Sequence, residues 1–270
     1  MSSPTFKLAA ALVALSIASV PAGAVEGTPE ADPTLLARSA FKAYVSGDVK
    51  RALADYRAAA DLGHVGALWK VARIYENGED GEPRTLAAYQ TYRELAERHG
   101  DIPPRSRNAV FVADAFVALG RMLDRGIGNR VAPNRAAAAS AFFQAASYFG
   151  DPEGQFRLGR MLMADGADDR EVFLRGVRWL KLAADKGHAG AIALLGDTLF
   201  VGRHVDPNPV LGLSMMKRAQ NLAGPMRREW ITDLHEKANI AADDDVRDAA
   251  TKLAEAEIAR SGQSADRAMP

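Results

Sequence analysis

Apolar residues recur along this chain at the three- and four-residue steps that are typical of amphipathic helices. In residues 154–187, Phe156 and Met161 belong to one apolar stripe, while Leu180 belongs to a second stripe that ends before Gly187. The pattern predicts two helices joined by a short turn. Because such a hairpin cannot bury both stripes by itself, the pattern also predicts neighbouring copies of the hairpin.

A small residue recurs in the first helix of each predicted copy. The four clear examples are Ala72, Gly120, Gly159 and Gly196. A degenerate first copy surrounds Phe41, and second helices end alike, with paired alanines shortly before a glycine. A glycine inside a helix costs about 1 kcal/mol relative to alanine. The repetition therefore predicts close helix contact at these positions, with packing recovering the loss.

These residues carry a resemblance to a known family. The pattern LGxxYxxGxG, followed by AxxWxxxAAxxG, resembles the Sel1-like branch of the tetratricopeptide repeats over roughly residues 35–224. The resemblance implies an all-α fold, a right-handed α/α superhelical solenoid of about five helical hairpins. It gives little information about function, because such arrays are general binding scaffolds.

The first 24 residues have the features of a secretory signal peptide. Lys7 supplies the positive charge, residues 8–20 are apolar or small, and residues 22–24 form a small-x-small cleavage site. The alternative, a membrane anchor, is disfavoured because the apolar run is short against the roughly 20 residues of a spanning helix. We therefore expect export to the periplasm with cleavage near Ala24.

The remaining chain divides into four predicted segments. They are a disordered lead-in (25–33), the repeat solenoid (34–224), two C-terminal capping helices (225–260) and a disordered tail (261–270). The stretch 100–108, with two prolines, interrupts the repeat period as an exposed loop. It is interpreted either as a tolerated solvent loop or as a partner contact or protease-sensitive site.

Composition excludes several classes of protein. The chain has no cysteine, so disulfides and a lipidated cysteine anchor are excluded. It has 34 basic and 34 acidic residues, a balance that disfavours a general nucleic-acid binder or a binder of anionic membranes. After signal cleavage we expect no direct insertion into a membrane.

Motifs for catalysis and cofactor binding are incomplete. His235 and Glu236 would begin an HExxH zinc motif, but Asn239 stands in place of the second histidine. Gly126 and Gly128 lack the third glycine and the preceding strand of a phosphate-binding loop. We therefore predict a protein that is not an enzyme, with no catalytic residues, no cofactor and no metal site.

Acidic pairs and tryptophans receive structural interpretations. Asp168 and Asp169, and the run 243–245, occur where helices are predicted to begin, and aspartate is favoured there as a cap. Trp69 and Trp179 occupy positions predicted to pack between helices, which is more common than a cofactor platform.

Basic residues recur at two positions of the first helices, next to the small residue and two places before it. They are Lys42, Lys70, Arg73, Arg121, Arg157 and Arg160. In the tetratricopeptide family these positions line the inner, concave groove, so the resemblance implies a basic groove that receives an acidic extended segment. The alternative is a solvated helix face that is neutralised by Glu76, Asp124 and their neighbours.

His64 and His188 follow the glycines that end two second helices, and both precede the next repeat. Histidine titrates between pH 5 and pH 8, so these residues are candidate pH sensors at the junctions between repeats. If both are partly buried and neutral at pH 7, acid should loosen the stacking between repeats. If each imidazole instead caps a helix C-terminus, a positive charge is stabilised there and the sign reverses.

A narrower resemblance rests on residues 40–44 (AFKAY), 143–150 (FQAASYFG) and 187–191 (GHAGA). These segments are similar to a family of exported bacterial regulators that repress exopolysaccharide production. The resemblance implies a periplasmic protein that binds the periplasmic domain of a membrane sensor kinase, holds that kinase inactive, favours motility, and is removed by a periplasmic protease. The competing hypotheses are a scaffold for cell-envelope assembly and an enzyme such as a cell-wall hydrolase or a β-lactamase-like protein.

Overall fold

Residues 32–267 are described by the computed structural model, and they form an array of α-helices. The predicted signal peptide, residues 25–31 of the predicted lead-in and residues 268–270 lie outside the described residues. The helices are α1 (Pro33–Val45), α2 (Val49–Asp61), α3 (Val65–Asn77), α4 (Thr85–His99), α5 (Ala109–Arg125), α6 (Arg135–Phe143), α7 (Pro152–Asp165), α8 (Arg170–Asp185), α9 (Ala189–Val201), α10 (Pro209–Leu222), α11 (Pro225–Ala241) and α12 (Asp244–Arg267).

Consecutive helices pair as hairpins, and each hairpin packs on the next one. First helices also contact first helices of adjacent hairpins, α3 with α5 and α5 with α7. The array is therefore narrower on the side of its first helices, which we call the inner side. The predicted all-α solenoid is confirmed, and within residues 32–267 the β-pairing is limited to one isolated bridge between Ile127 and Val131.

Short polar side chains set the helix starts. The Asp151 carboxylate accepts a hydrogen bond from the Gly154 backbone N–H at 2.7 Å, and Pro152 occupies the first turn of α7. Asp169 caps α8 in the same way, as its position predicts. Asp32 caps α1 ahead of Pro33, so this helix begins at Pro33, the last residue of the predicted lead-in.

The second helix of the third hairpin is interrupted. An α-helix ends at Phe143, and Gln144–Tyr148 form a π-helical turn. Gln144 Nε2 donates to the Gly100 carbonyl at 3.5 Å, and the Tyr148 hydroxyl donates to the Asp101 carbonyl at 3.1 Å. The wider turn lets two side chains of one helix reach neighbouring carbonyls, a tertiary requirement that the local sequence does not show.

Close helix contact occurs at the recurring small residues. A Cβ atom on Gly159 would lie 2.8 Å from the Gly176 carbonyl oxygen, and one on Gly196 would lie 2.6 Å from the Gly212 carbonyl oxygen. At Gly120 the added atom would lie 2.4 Å from the Phe142 ring. A side chain at these positions would push the two helices of a hairpin apart.

Two further helices cover the last hairpin. α12 packs along α10, where Leu213 and Met216 are buried against Ala250, and Arg218 Nη1 bonds Glu257 at 2.6 Å. α12 continues to Arg267, so the tail predicted as disordered from Ser261 is helical over residues 261–267. The segment contains no proline before residue 270, so no residue forces the helix to end at 260. Within the described residues, no helix is long and apolar enough to cross a bilayer.

Candidate partner-binding surface

The inner side carries a positively charged cleft between α5 and α7, which we call the arginine cleft. Its volume is about 290 Å³, and one carboxylate, that of Asp124, lines it. The arginines that line it are Arg121, Arg125, Arg135, Arg157 and Arg160. The fold thus brings together three of the six predicted basic residues and adds Arg125 and Arg135.

Carboxylates at the edges of the cleft orient Arg135, Arg157 and, through Glu76, Arg121. Arg135 Nη2 lies 2.5 Å from Asp165 Oδ1, and these hydrogen bonds raise the pKa of Arg135. Arg157 Nε donates to Glu153 Oε1 at 2.7 Å. Each guanidinium group carries five N–H donors in a rigid fork, so one carboxylate leaves donors available for a second anion.

Among the described residues, Arg125 and Arg160 form no ion pair with a carboxylate, although the charges of Asp124 and Glu153 still act on Arg160. The Arg160 guanidinium lies 5.8 Å from the Phe156 ring centroid. Partial desolvation lowers the pKa of Arg160, and the positive charge of Arg157 lowers it further. The positive charges of Arg157 and Arg125 therefore repel that of Arg160 and are offset in part by Asp124 and Glu153, so a further anion placed there would be favourable.

Glu76 joins the cleft to the second hairpin. Its Oε1 accepts a hydrogen bond from Arg121 Nη2 at 2.6 Å, and its Oε2 accepts one from the Tyr92 hydroxyl at 2.8 Å. Arg73 Nη1 lies 3.7 Å from the same carboxylate. Glu76 thus neutralises part of the basic surface, as the solvated-face interpretation predicts. The cleft itself is nevertheless lined by more arginines than carboxylates.

The remaining two predicted residues lie elsewhere. Lys70 Nζ sits 3.7 Å from the Tyr44 ring centroid and 3.2 Å from Glu79 Oε2. It borders a second pocket of about 390 Å³, lined largely by aromatic side chains that include Trp69 and Phe111. Lys42 is exposed on α1. The six predicted basic residues therefore lie in two separate areas.

The two candidate pH sensors are helix N-caps. His64 Nδ1 accepts from the Ala67 backbone N–H at 3.0 Å, and His188 Nδ1 accepts from the Ala191 N–H at 3.1 Å. The interpretation that these imidazoles cap helix C-termini is therefore wrong, because both rings face the start of the following helix. His188 Nε2 also lies 2.9 Å from Glu153 Oε2.

Sequence reasoning missed a surface on the opposite side. Trp179, expected between helices, is partly exposed and lies edge-on to Phe143, with ring centroids 6.1 Å apart. The two residues border a groove that lies between α6 and α8. The sequence signal for this surface is the pair of adjacent phenylalanines at 142–143. Adjacent residues of a helix point in different directions, so a hairpin that buries one of the two rings leaves the other outside.

The described residues contain no group of three or more histidine, aspartate or glutamate side chains that could hold a metal ion. His235 lies half-buried on α11, and burial, followed by the charge of Lys217, lowers its pKa.

Comparison with known proteins agrees with this architecture. A family model for the Sel1 repeat matches residues 65–90, 152–188 and 189–221. An exopolysaccharide production negative regulator of Rhizobium meliloti (strain 1021) is 33% identical over 226 residues, which are 83% of this chain and 82% of that protein. The chain belongs to this regulator family. A second member, from Rhizobium leguminosarum bv. viciae, is 32% identical over 225 residues, 83% of this chain and 82% of that protein.

Solved structures share the fold of this regulator family. A Sel1 repeat protein from Oxalobacter formigenes has a TM-score of 0.59 and 21% identity, covering 84% of this chain and 88% of that one. A protective antigen of uropathogenic Escherichia coli that displays an SLR fold has a TM-score of 0.50 and 21% identity, covering 84% of this chain and 53% of that one. At this identity the likeness shows the fold alone.

Proposed function

We propose that this chain is an exported regulatory protein that uses the arginine cleft to bind an acidic segment of the periplasmic domain of a membrane sensor kinase. The bound kinase is held inactive, which represses exopolysaccharide synthesis and influences motility, and a periplasmic protease relieves the repression. The protein acts by binding and not by catalysis. Its relatives' names as negative regulators of exopolysaccharide production support the regulatory part of this proposal.

The arginine cleft is the observation that carries the proposal. Arg125 and Arg160 hold no carboxylate among the described residues, and Arg157 and Arg135 are oriented by acidic side chains at the edge. A preoriented set of guanidinium groups loses little side-chain entropy when it pairs with carboxylates of a partner. The same charges would speed encounter with an acidic surface at low salt.

Charge reversal of the two unpaired arginines separates binding from folding. Because Arg125 and Arg160 make no ion pair that the fold requires, Arg125→Glu/Arg160→Glu should leave the melting temperature nearly unchanged. The matched control is Lys50→Glu/Arg51→Glu, which changes the same charge on exposed residues of α2.

The test is complementation of a deletion strain, scored by exopolysaccharide yield, swimming, and capture of the kinase periplasmic domain. Wild type and the α2 control should restore repression and capture the kinase domain, whereas the cleft variant should do neither. Normal repression by the cleft variant would exclude the cleft as the binding surface. Deletion without any change in exopolysaccharide or motility, or capture of cell-wall enzymes instead of a kinase, would overturn the proposed function.

A further inference from the structure

The outer side carries a groove between α6 and α8, which we call the outer groove. It has a volume of about 850 Å³, and α7 supplies its floor through Leu158 and Leu162. Its walls are largely apolar, and the side chains that form them are Ala139, Phe143, Trp179 and Leu182. It lies away from the arginine cleft, and the two share no lining residue.

The apolar walls of the outer groove are open to solvent. Phe143 is 51% exposed and Leu182 is 45% exposed, although each could be buried by a neighbour of the right shape. Phe143 and Trp179 meet edge to face, which fixes both rings. Contiguous exposed apolar surface that contains tryptophan and arginine is typical of protein-binding sites.

Two arginines on the rim give the groove a charge preference. Arg175 and Arg178 line it, and neither forms an ion pair with a carboxylate among the described residues. Arg178 Nε is bonded to the Leu174 carbonyl of its own helix at 3.3 Å, which holds the side chain along α8. The groove therefore lacks acidic groups of its own and complements a partner whose apolar face is flanked by carboxylates.

The backbone of the groove determines which partner conformation fits. Its walls are helices whose N–H and C=O groups are already paired within each helix, so an extended peptide would find no backbone partners there. A peptide that enters an apolar groove must then satisfy its own backbone, which an α-helix does.

The C-terminal helix of the chain already packs on the array in this way. α12 is a helix that packs along α10 through Ala250 and pairs its Glu257 with Arg218 of α10 at 2.6 Å. An apolar face beside an acidic residue therefore already covers one second helix of this array. No helix of the described residues covers α8 at Trp179 and Leu182 in that way.

We propose that the outer groove is a docking site for an amphipathic α-helix of a partner protein, with its apolar face on Phe143, Trp179 and Leu182 and acidic side chains on Arg175 and Arg178. The surface is separate from the arginine cleft, and the proposal does not depend on the function proposed above.

The test uses two fluorescent peptide probes of about four helical turns with the same apolar stripe. One probe carries glutamates beside the stripe, and the other carries lysines. The full protein should bind the glutamate probe about tenfold more tightly or better by fluorescence anisotropy, since paired charges favour it and like charges oppose the other. Arg175→Glu/Arg178→Glu should reverse this preference.

Two further variants locate the site. Leu182→Ser should weaken binding of the glutamate probe without a large change in melting temperature, because Leu182 is an exposed residue. Lys50→Glu/Arg51→Glu, the same change of charge on exposed residues of α2, should leave the preference intact. Equal binding of both probes, an unchanged preference in the Arg175/Arg178 variant, or a dimer that Leu182→Ser dissociates in sedimentation would each overturn the proposal.

Discussion

Arg121 on α5 donates a 2.6 Å hydrogen bond to Glu76 on α3, and this contact joins two hairpins across 45 residues of chain. Glu76 also accepts a hydrogen bond from the Tyr92 hydroxyl of α4, a side chain that is completely buried. Burial raises the pKa of Tyr92, and the charge of Glu76 raises it further. One carboxylate thus connects three helices at the edge of the arginine cleft.

Removing that carboxylate should destabilise the junction between the second and third hairpins. In Glu76→Ala the buried Tyr92 hydroxyl loses its acceptor, and Arg121 loses its partner, so we expect a loss of about 1–3 kcal/mol in the free energy of unfolding. Urea denaturation measures the loss. The exposed pair Arg98 and Glu94 is the control, since Arg98→Ala should change stability by less than about 0.5 kcal/mol. Equal losses in both variants would contradict a structural role of Glu76.

The helix contact at Gly159 predicts a steric effect. In Gly159→Ala the added methyl group would lie 2.8 Å from the Gly176 carbonyl oxygen and 3.0 Å from Leu180 carbons. The hairpin must then open, and we expect a cost of roughly 1–3 kcal/mol, measured by thermal unfolding. Gly224→Ala, where no atom lies within 4 Å, should cost clearly less. A stabilised Gly159→Ala variant would show that the contact is not close in solution.

Because His188 is a helix N-cap, two substitutions at this position should differ in stability. His188→Ala removes the acceptor for the Ala191 N–H and the bond to Glu153, so we expect a loss of about 1 kcal/mol. His188→Asn should recover much of this loss, because asparagine is a favoured N-cap. Unfolding in urea compares the two variants at one pH. Equal losses of stability in the two variants would show that the N-cap hydrogen bond of His188 contributes little to the free energy of unfolding.

Acid should weaken the C-terminal helices through His235. Its pKa is lowered by burial and then by Lys217, so the unfolded chain takes up a proton at a higher pH than the folded chain. The free energy of unfolding then falls as the pH drops through the unfolded value of about 6.5, and it levels off once the folded state is protonated. His235→Gln should lose less stability than wild type between about pH 7 and about pH 5.5.

His99 provides a second test of the predicted loss of stability in acid. Burial and then the charge of Arg98 lower its pKa, so His99→Gln should act in the same direction, and the double variant should lose least. Stability against urea at the two pH values measures all four proteins. A variant series with identical losses would remove these histidines from the acid response.

The sequence by itself determined the repeating architecture. Helix periodicity is local, and copies of one hairpin need each other to bury their stripes, so the all-α array of hairpins follows from the pattern. The recurring glycines likewise marked the positions of closest helix contact, since a costly residue repeated at one register requires a shared packing reason.

Only the tertiary structure determined which side chains share a surface. Whether Arg157 and Arg160 face Arg121 depends on how successive hairpins rotate against each other, and the sequence spacing of the basic residues does not contain that rotation. The same rotation places Lys70 on a different pocket and leaves Trp179 at an open groove. The π-helical turn at Gln144 arises for the same reason, because its hydrogen-bond partner is the Gly100 carbonyl, 44 residues away.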